Sequence, residues 1–198
     1  MRNRTWRDDI RAYVPFNEQE RHDKARFLNV LDLENILTRG NEEAHVSSSA
    51  WVMNEALDQV LMAYHNIYQS YSWLGGHADG DPDLLAVALR EAKEESGITE
   101  LTPFSQEILA LDILPVPAHI KRGKLVREHE HLNVTYLFIA PTDQTLTVKA
   151  DENSAVAWIP VVDLPQVVSE ARMIPVYEKL IVRSRQWKAE ALYEQEPQ

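Results

Sequence analysis

Residues 75–98 read Gly75-Gly-His-Ala-Asp-Gly-Asp-Pro-Asp-Leu-Leu-Ala-Val-Ala-Leu-Arg-Glu-Ala-Lys-Glu-Glu-Ser-Gly97-Ile98. The second half has the marks of a single helix. Asp81 suits the N-cap and Pro82 the first helical position. Asp83 adds negative charge at the positive end of the helix dipole. Gly97 stands where a left-handed residue closes a helix. The reading is a helix from Pro82 to Ser96. At about 100° per residue, Leu85, Ala88, Leu89 and Ala92 share a face that should pack on a sheet. Ala86, Arg90 and Lys93 point away from it. Glu91, Glu94 and Glu95 fall on one arc between these faces, spaced i, i+3, i+4, so their carboxylates converge. Like charges placed in this way repel by a few tenths of a kcal/mol per adjacent pair. Two readings are open. A solvated acidic face, with Arg90 and Glu94 as an i,i+4 pair, leaves Glu91 and Glu95 uncompensated beside the apolar face. A hard divalent cation would compensate them, because Mg²⁺ takes oxygen ligands from few carboxylates and from phosphates.

Outward from this helix, both strands and helices are expected. Residues 8–45 read as helical and polar, with Asn17 and Glu20 as a capping box and Arg39-Gly40-Asn41 as the stop. Val46–Val52 and Gln59–His65 form a hairpin across a turn at Asn54–Asp58. Tyr68–Leu74, Ser105–Leu114 and Ala155–Ile159 read as further strands. Leu132–Ala140 is the clearest strand, since Val134, Tyr136 and Phe138 alternate with Thr135, Leu137 and Ile139. Residues 118–131 form a basic loop, or a hairpin turning at Gly123. Asp163–Arg172 and Val176–Leu192 read as helices. The order suggests an α/β/α layered domain with a mixed β-sheet.

Composition bounds the function. The 198 residues fit one domain and can bury a core without staples. There is no cysteine, which removes disulfides, thiolate metal sites and a cysteine nucleophile. The net charge of −11 repels nucleic acid and anionic lipid, so neither is expected as a partner. No apolar run approaches the ~20 residues needed to span a bilayer. The first residues carry positive charge without an apolar stretch behind it, unlike a secretory signal. The expectation is a soluble, acidic, cytoplasmic protein.

The segment Gly75–Ile98 resembles the Nudix box of the Nudix hydrolases: a glycine, five residues, a glutamate, seven residues, then Arg-Glu-apolar-x-Glu-Glu-x-Gly-apolar. Gly76 is the glycine, and Arg90 to Ile98 fill the second half completely. Pro82 departs from the pattern, standing where the isolated glutamate is expected. That glutamate is mainly structural in the family, and Asp81 and Asp83 offer a partial substitute. The layout from about Val46 to Leu192 is similar to the family's. The resemblance implies a Nudix-like α/β/α sandwich over residues 46–198, with residues 1–45 as a helical N-terminal extension. It implies Mg²⁺ or Mn²⁺ as cofactor, with Glu94 and Glu95 as principal ligands. Glu91 would hold a further metal or take a proton from the attacking water. Arg90 would orient the carboxylates, and the carbonyl of Gly75 would add a ligand. The implied substrate is a small-molecule diphosphate, a nucleoside diphosphate joined to another group. A pyrophosphate linkage is anionic and repels hydroxide, and metal ions offset that charge.

Outside the box, Glu152 has the sequence context of the loop carboxylate that completes such sites, with Glu128 and Glu130 as rivals. For each, a solvated loop carboxylate is the simpler reading. His129 and His131 are two apart, so on a strand they face one side. A zinc pair would need more ligands than the sequence places nearby, which favours histidines at the start of a strand or a substrate contact. His77 follows Gly76 and would sit at the mouth of the site. Lys121, Arg122, Lys124 and Arg127 are either a solubilising hairpin tip or a phosphate-capturing patch. Trp51, Tyr71 and Trp73 suit the core better than base stacking. The apolar stripe Phe27, Val30, Leu31, Ile36 and Leu37 should be covered, by the same domain or in a homodimer.

Two other functions compete. An isopentenyl-diphosphate isomerase shares the fold but resembles a cysteine-dependent catalyst, and cysteine is absent here. A non-catalytic Nudix-fold binding module would commonly lose box carboxylates, whereas Arg90, Glu91, Glu94 and Glu95 are all present.

Overall fold

A computed structural model describes residues 4–121, 123–149 and 153–195. The chain opens with helices α1 (Trp6–Ala12) and α2 (Glu18–Val30), followed by turns to residue 43. Strands β1 (Ala44–Met53), β2 (Gln59–His65), β3 (Ser70–Ser72) and β4 (Leu74–His77) precede helix α3 (Leu84–Ser96). Then come β5 (Thr102–Pro103), β6 (Ala110–Val116), the hairpin β7 (His119–Lys121) and β8 (Lys124–Val126), β9 (His129–Ile139) and β10 (Asn153–Pro160). Helices α4 (Leu164–Val167) and α5 (Ile174–Gln195) end the chain.

The main sheet runs β10-β2-β1-β9-β5, with β3 beside β2, β4 beside β1 and β6 beside β9. It is mixed: β1 lies parallel to β9, whereas β4 and β2 run antiparallel to β1. Alternation along β9 sends Val134, Tyr136 and Phe138 into one core with α1, α2 and α3. Leu137 and Ile139 join Trp51, Met53, Tyr177 and Leu180 in a second core under α5. Helices therefore cover both faces, and the layered α/β/α reading holds. Trp51 is a core residue, stacked on Tyr177 at 5.5 Å between ring centroids.

The N-terminal helices share the first core. Phe27, Leu31 and Ile36 are buried in it together with Val46, Val52 and Leu111. A buried polar network ties them to the C-terminal helix: Lys179 Nζ lies 2.6 Å from Asp112 Oδ1 and 3.0 Å from Glu20 Oε1. Tyr13 donates its hydroxyl to Glu20 Oε2 at 2.6 Å.

The strand expected at Tyr68–Leu74 is split at Trp73 into β3, which pairs with β2, and β4, which pairs with β1. Other boundaries differ from the sequence reading for local reasons. The N-terminal helical stretch breaks at Tyr13–Phe16, because Pro15 lacks an N–H and disfavours helical geometry at Val14. Only half of the capping box forms: Asn17 Oδ1 accepts from Glu20 N at 2.9 Å, while the Glu20 carboxylate turns to Phe16 N and Tyr13. Helix α3 starts at Leu84, capped by Asp83, whose Oδ1 accepts from Ala86 N at 3.0 Å. Asp81 is engaged elsewhere, by the N–H of Asp83 and by Arg90. The helix expected at Asp163–Arg172 stops after α4, since Ser169 bonds back to Ser70 Oγ and to the Gln69 carbonyl. Pro115 falls within β6 at the border of the sheet, where a strand tolerates a missing N–H.

Candidate active site

Strand β4 and helix α3 bring the box residues together. Ser48 donates its hydroxyl to the Leu84 carbonyl at 2.6 Å and so ties the start of α3 to β1. Gly97 closes the helix at φ 75°, in the left-handed region that glycine enters without strain. Ala88 and Ala92 are buried, and Leu85 and Leu89 pack against the same core. The carboxylate arc is thereby turned towards β4.

The three glutamates sit in different environments. Glu95 is 7% exposed; its Oε2 accepts the backbone N–H of Gly75 at 2.9 Å and its Oε1 accepts Asn153 Nδ2 at 3.3 Å. Both bonds hold the carboxylate in place at the edge of the cavity. Glu91 lies under Gly76: a Cβ at residue 76 would stand 2.6 Å from its carboxylate. Glu94 is half exposed, with Lys149 Nζ 3.9 Å from its Oε2. Arg90 is held by Asp81 at 3.3 Å and passes 3.9 Å from Glu91 Oε1. Asp81 thus anchors the arginine, and Asp83 caps the helix, around the proline that replaces the box glutamate. The all-oxygen set of Glu91, Glu94 and Glu95 suits Mg²⁺ or Mn²⁺.

These carboxylates border an open cavity of about 840 Å³, which also reaches Gly75, Gly76 and His77. Tyr68 and Trp73 line it with aromatic surface, and Arg39, Arg127, Lys149 and Arg172 with positive charge. Of the basic stretch, Arg127 lines the cavity. Arg122 and Glu152 lie outside the described residues, as does the side chain of Lys121. Glu130 pairs with Arg26 of α2 at 2.8 Å, and Glu128 is exposed in the loop.

Histidines form a second cluster in the same cavity. The register pairs His45 with His131 and Ser47 with His77, so these side chains project from one face of the sheet. His77 Nε2 and His129 Nε2 each lie 3.2 Å from His131 Nε2. The rings of His45 and His131 are 5.1 Å apart between centroids. Burial, then the imidazoles of His77, His45 and His129, push His131 down to about 2, and burial lowers His45 as well. Both rings are therefore neutral at ordinary pH. The sequence offered His129 and His131 as a pair on one strand face and His77 apart from them. Only the register of β1 shows that His45 belongs with them.

The NUDIX domain family model matches residues 43–180, more than half of the chain. No curated protein matches the sequence. Several solved structures share the fold. An Ap4A hydrolase of C. elegans is 18% identical with a TM-score of 0.51, covering 73% of this chain and 98% of its own. The E. coli dihydroneopterin triphosphate pyrophosphohydrolase is 15% identical at a TM-score of 0.52, covering 69% and 94%. A MutT protein from Methanosarcina mazei Go1 is 14% identical at 0.52, covering 74% and 96%.

Proposed function

Since this chain belongs to the Nudix family of pyrophosphohydrolases, enzymes that act on acid anhydrides, we propose that it cleaves the diphosphate of a nucleoside diphosphate joined to another group. One observation carries this reading: Glu91, Glu94 and Glu95 converge with Gly75 and Gly76 on a cavity lined by four cationic side chains. Glu94 and Glu95, with the Gly75 carbonyl, are the residues that would hold Mg²⁺ or Mn²⁺. The bound ion supplies charge neutralisation at the phosphate oxygens and a water of lowered pKa.

The chain's own groups do the rest. Gly75 N–H and Asn153 Nδ2 fix the Glu95 carboxylate in one orientation. Glu91, between Arg90 and Gly76, accepts the proton of the attacking water. That water forms a new P–O bond as the bridging P–O bond of the anhydride breaks. Arg39, Arg127, Lys149 and Arg172 draw the anionic substrate in. Tyr68 and Trp73 offer faces on which a base can stack. Residues 1–45 act as a helical extension that completes the first core around residues 46–198. Among the described residues no helix is long and apolar enough to cross a membrane, which accords with a cytoplasmic enzyme of small-molecule substrates.

The test is a screen of purified protein with Mg²⁺ or Mn²⁺ against nucleotide sugars, ADP-ribose, dinucleoside polyphosphates and nucleoside triphosphates. Hydrolysis of one class, lost in Glu95→Gln, is the expected outcome. Absence of hydrolysis across the panel, together with no stabilisation by either ion, would replace this reading with the ligand-binding module.

A further inference from the structure

The histidines line the same cavity as the carboxylates of α3 and bring a different donor, imidazole nitrogen. His45, His77 and His131 each place a ring nitrogen within 4.8 Å of the other two. They come from three strands, β1, β4 and β9, held in register by the sheet.

The hydrogen bonds set the donor chemistry. His45 Nδ1 lies 3.0 Å from the Asn41 carbonyl, which can only accept. In the neutral ring the proton therefore sits on Nδ1, and Nε2 carries the lone pair. That Nε2 is buried and has no hydrogen-bond partner. His129 repeats the pattern, with Nδ1 2.9 Å from the Arg127 carbonyl. A backbone carbonyl behind a histidine is the outer support that orients metal-binding imidazoles.

The spacing is informative too. His131 Nε2 meets His77 Nε2 and His129 Nε2, each at 3.2 Å. A single proton on His131 Nε2 can bridge only one of these contacts. Two Zn–N bonds of ~2.0–2.1 Å at a tetrahedral angle place their nitrogens about 3.3 Å apart. Among the proposed ligands, the His77–His131 contact already has that separation, and His45 offers its nitrogen within 4.8 Å of both.

We propose that His45, His77 and His131 form a second metal site for a divalent ion of borderline softness, Zn²⁺ first, separate from the oxygen site on α3. Imidazole suits Zn²⁺ and its neighbours, whereas Mg²⁺ demands oxygen. Three protein ligands leave a fourth position, and the cluster borders the cavity beside His129. An oxygen of an anionic ligand can take that position.

The test uses the full chain and reads metal alone, so it is independent of hydrolysis. Protein stripped with chelator is loaded with Zn²⁺ in excess Mg²⁺, desalted, and its metal content measured. About one equivalent should remain in the wild type, in Glu95→Gln and in the exposed-histidine control His22→Gln. His45→Gln and His131→Gln should each lower retention at least tenfold. Zn²⁺ X-ray absorption on the wild type, which needs no variant to fold, should show imidazole scattering with a first shell at ~2.0–2.1 Å. A wild type that retains no Zn²⁺, or a first shell without imidazole, overturns the proposal. Retention that follows Glu95 rather than His45 and His131 also overturns it and returns the ion to α3.

Discussion

The backbone N–H of Gly75 donates to Oε2 of Glu95 at 2.9 Å, joining β4 to α3 across twenty residues of chain. Glu95→Gln keeps the shape and the helix propensity of this side chain and removes its charge. The amide can still accept from Gly75, and Asn153 can turn its own amide so that Oδ1, buried without a partner, accepts from the new NH₂. Hydrolysis should fall by a factor on the order of 10²–10³, like the loss of one preorganised electrostatic contact. The melting temperature without metal should barely change. Rates against Mg²⁺ concentration check this; near-wild-type rates at low Mg²⁺ would remove Glu95 from the ligand set.

Gly76→Ala isolates the role of Glu91. The new methyl would stand 2.6 Å from the Glu91 carboxylate, the far end of a flexible side chain. Glu91 should swing aside at a modest cost, about 1 kcal/mol, at the low end for overpacking. Its displacement should lower kcat at least tenfold with KM little changed. Equal losses of stability and activity would mean instead that the backbone had moved.

The N-terminal helices should be inseparable from the domain. Phe27 is fully buried, and Phe27→Ala should cost ~3–5 kcal/mol in denaturant unfolding. A chain beginning at His45 would expose the surface that Phe27, Leu31 and Ile36 cover, and should aggregate. A soluble, fully active truncation would refute this.

Arg127 and Lys149 should act at substrate capture. Changing both to Ala should raise KM several-fold, flatten its dependence on salt and leave kcat mostly intact. Steady-state rates at low and high ionic strength check the pair.

Burial pushes the Asp112 carboxyl up to about 6, against the pull of Lys179. The folded state then holds its proton where the unfolded chain has lost it, between pH ~4 and ~6. Stability from this group is present below the unfolded pKa and is lost as pH rises through about 6, by up to about 2–3 kcal/mol. Asp112→Asn has no such titration. The wild type minus variant difference in unfolding free energy should therefore fall between pH 4 and pH 7. A flat difference would mean that Lys179 compensates the charge fully.

The sequence alone determined the parts that repeat along one element. The period of α3 placed Leu85, Ala88, Leu89 and Ala92 inward and gathered Glu91, Glu94 and Glu95 on an edge, because 3.6 residues per turn acts at short range. The alternation in β9 likewise foretold which side chains enter each core. Local competition blurred the boundaries: Asp81 was taken by Arg90, and Pro15 split the first helix. The histidine cluster was decided by tertiary structure. His45, His77 and His131 share no period and lie on three strands, and they meet because β1 pairs with β4 in one direction and β9 in the other. Such pairing depends on hydrogen bonds between distant segments, and the spacing of residues along a single chain carries no record of it.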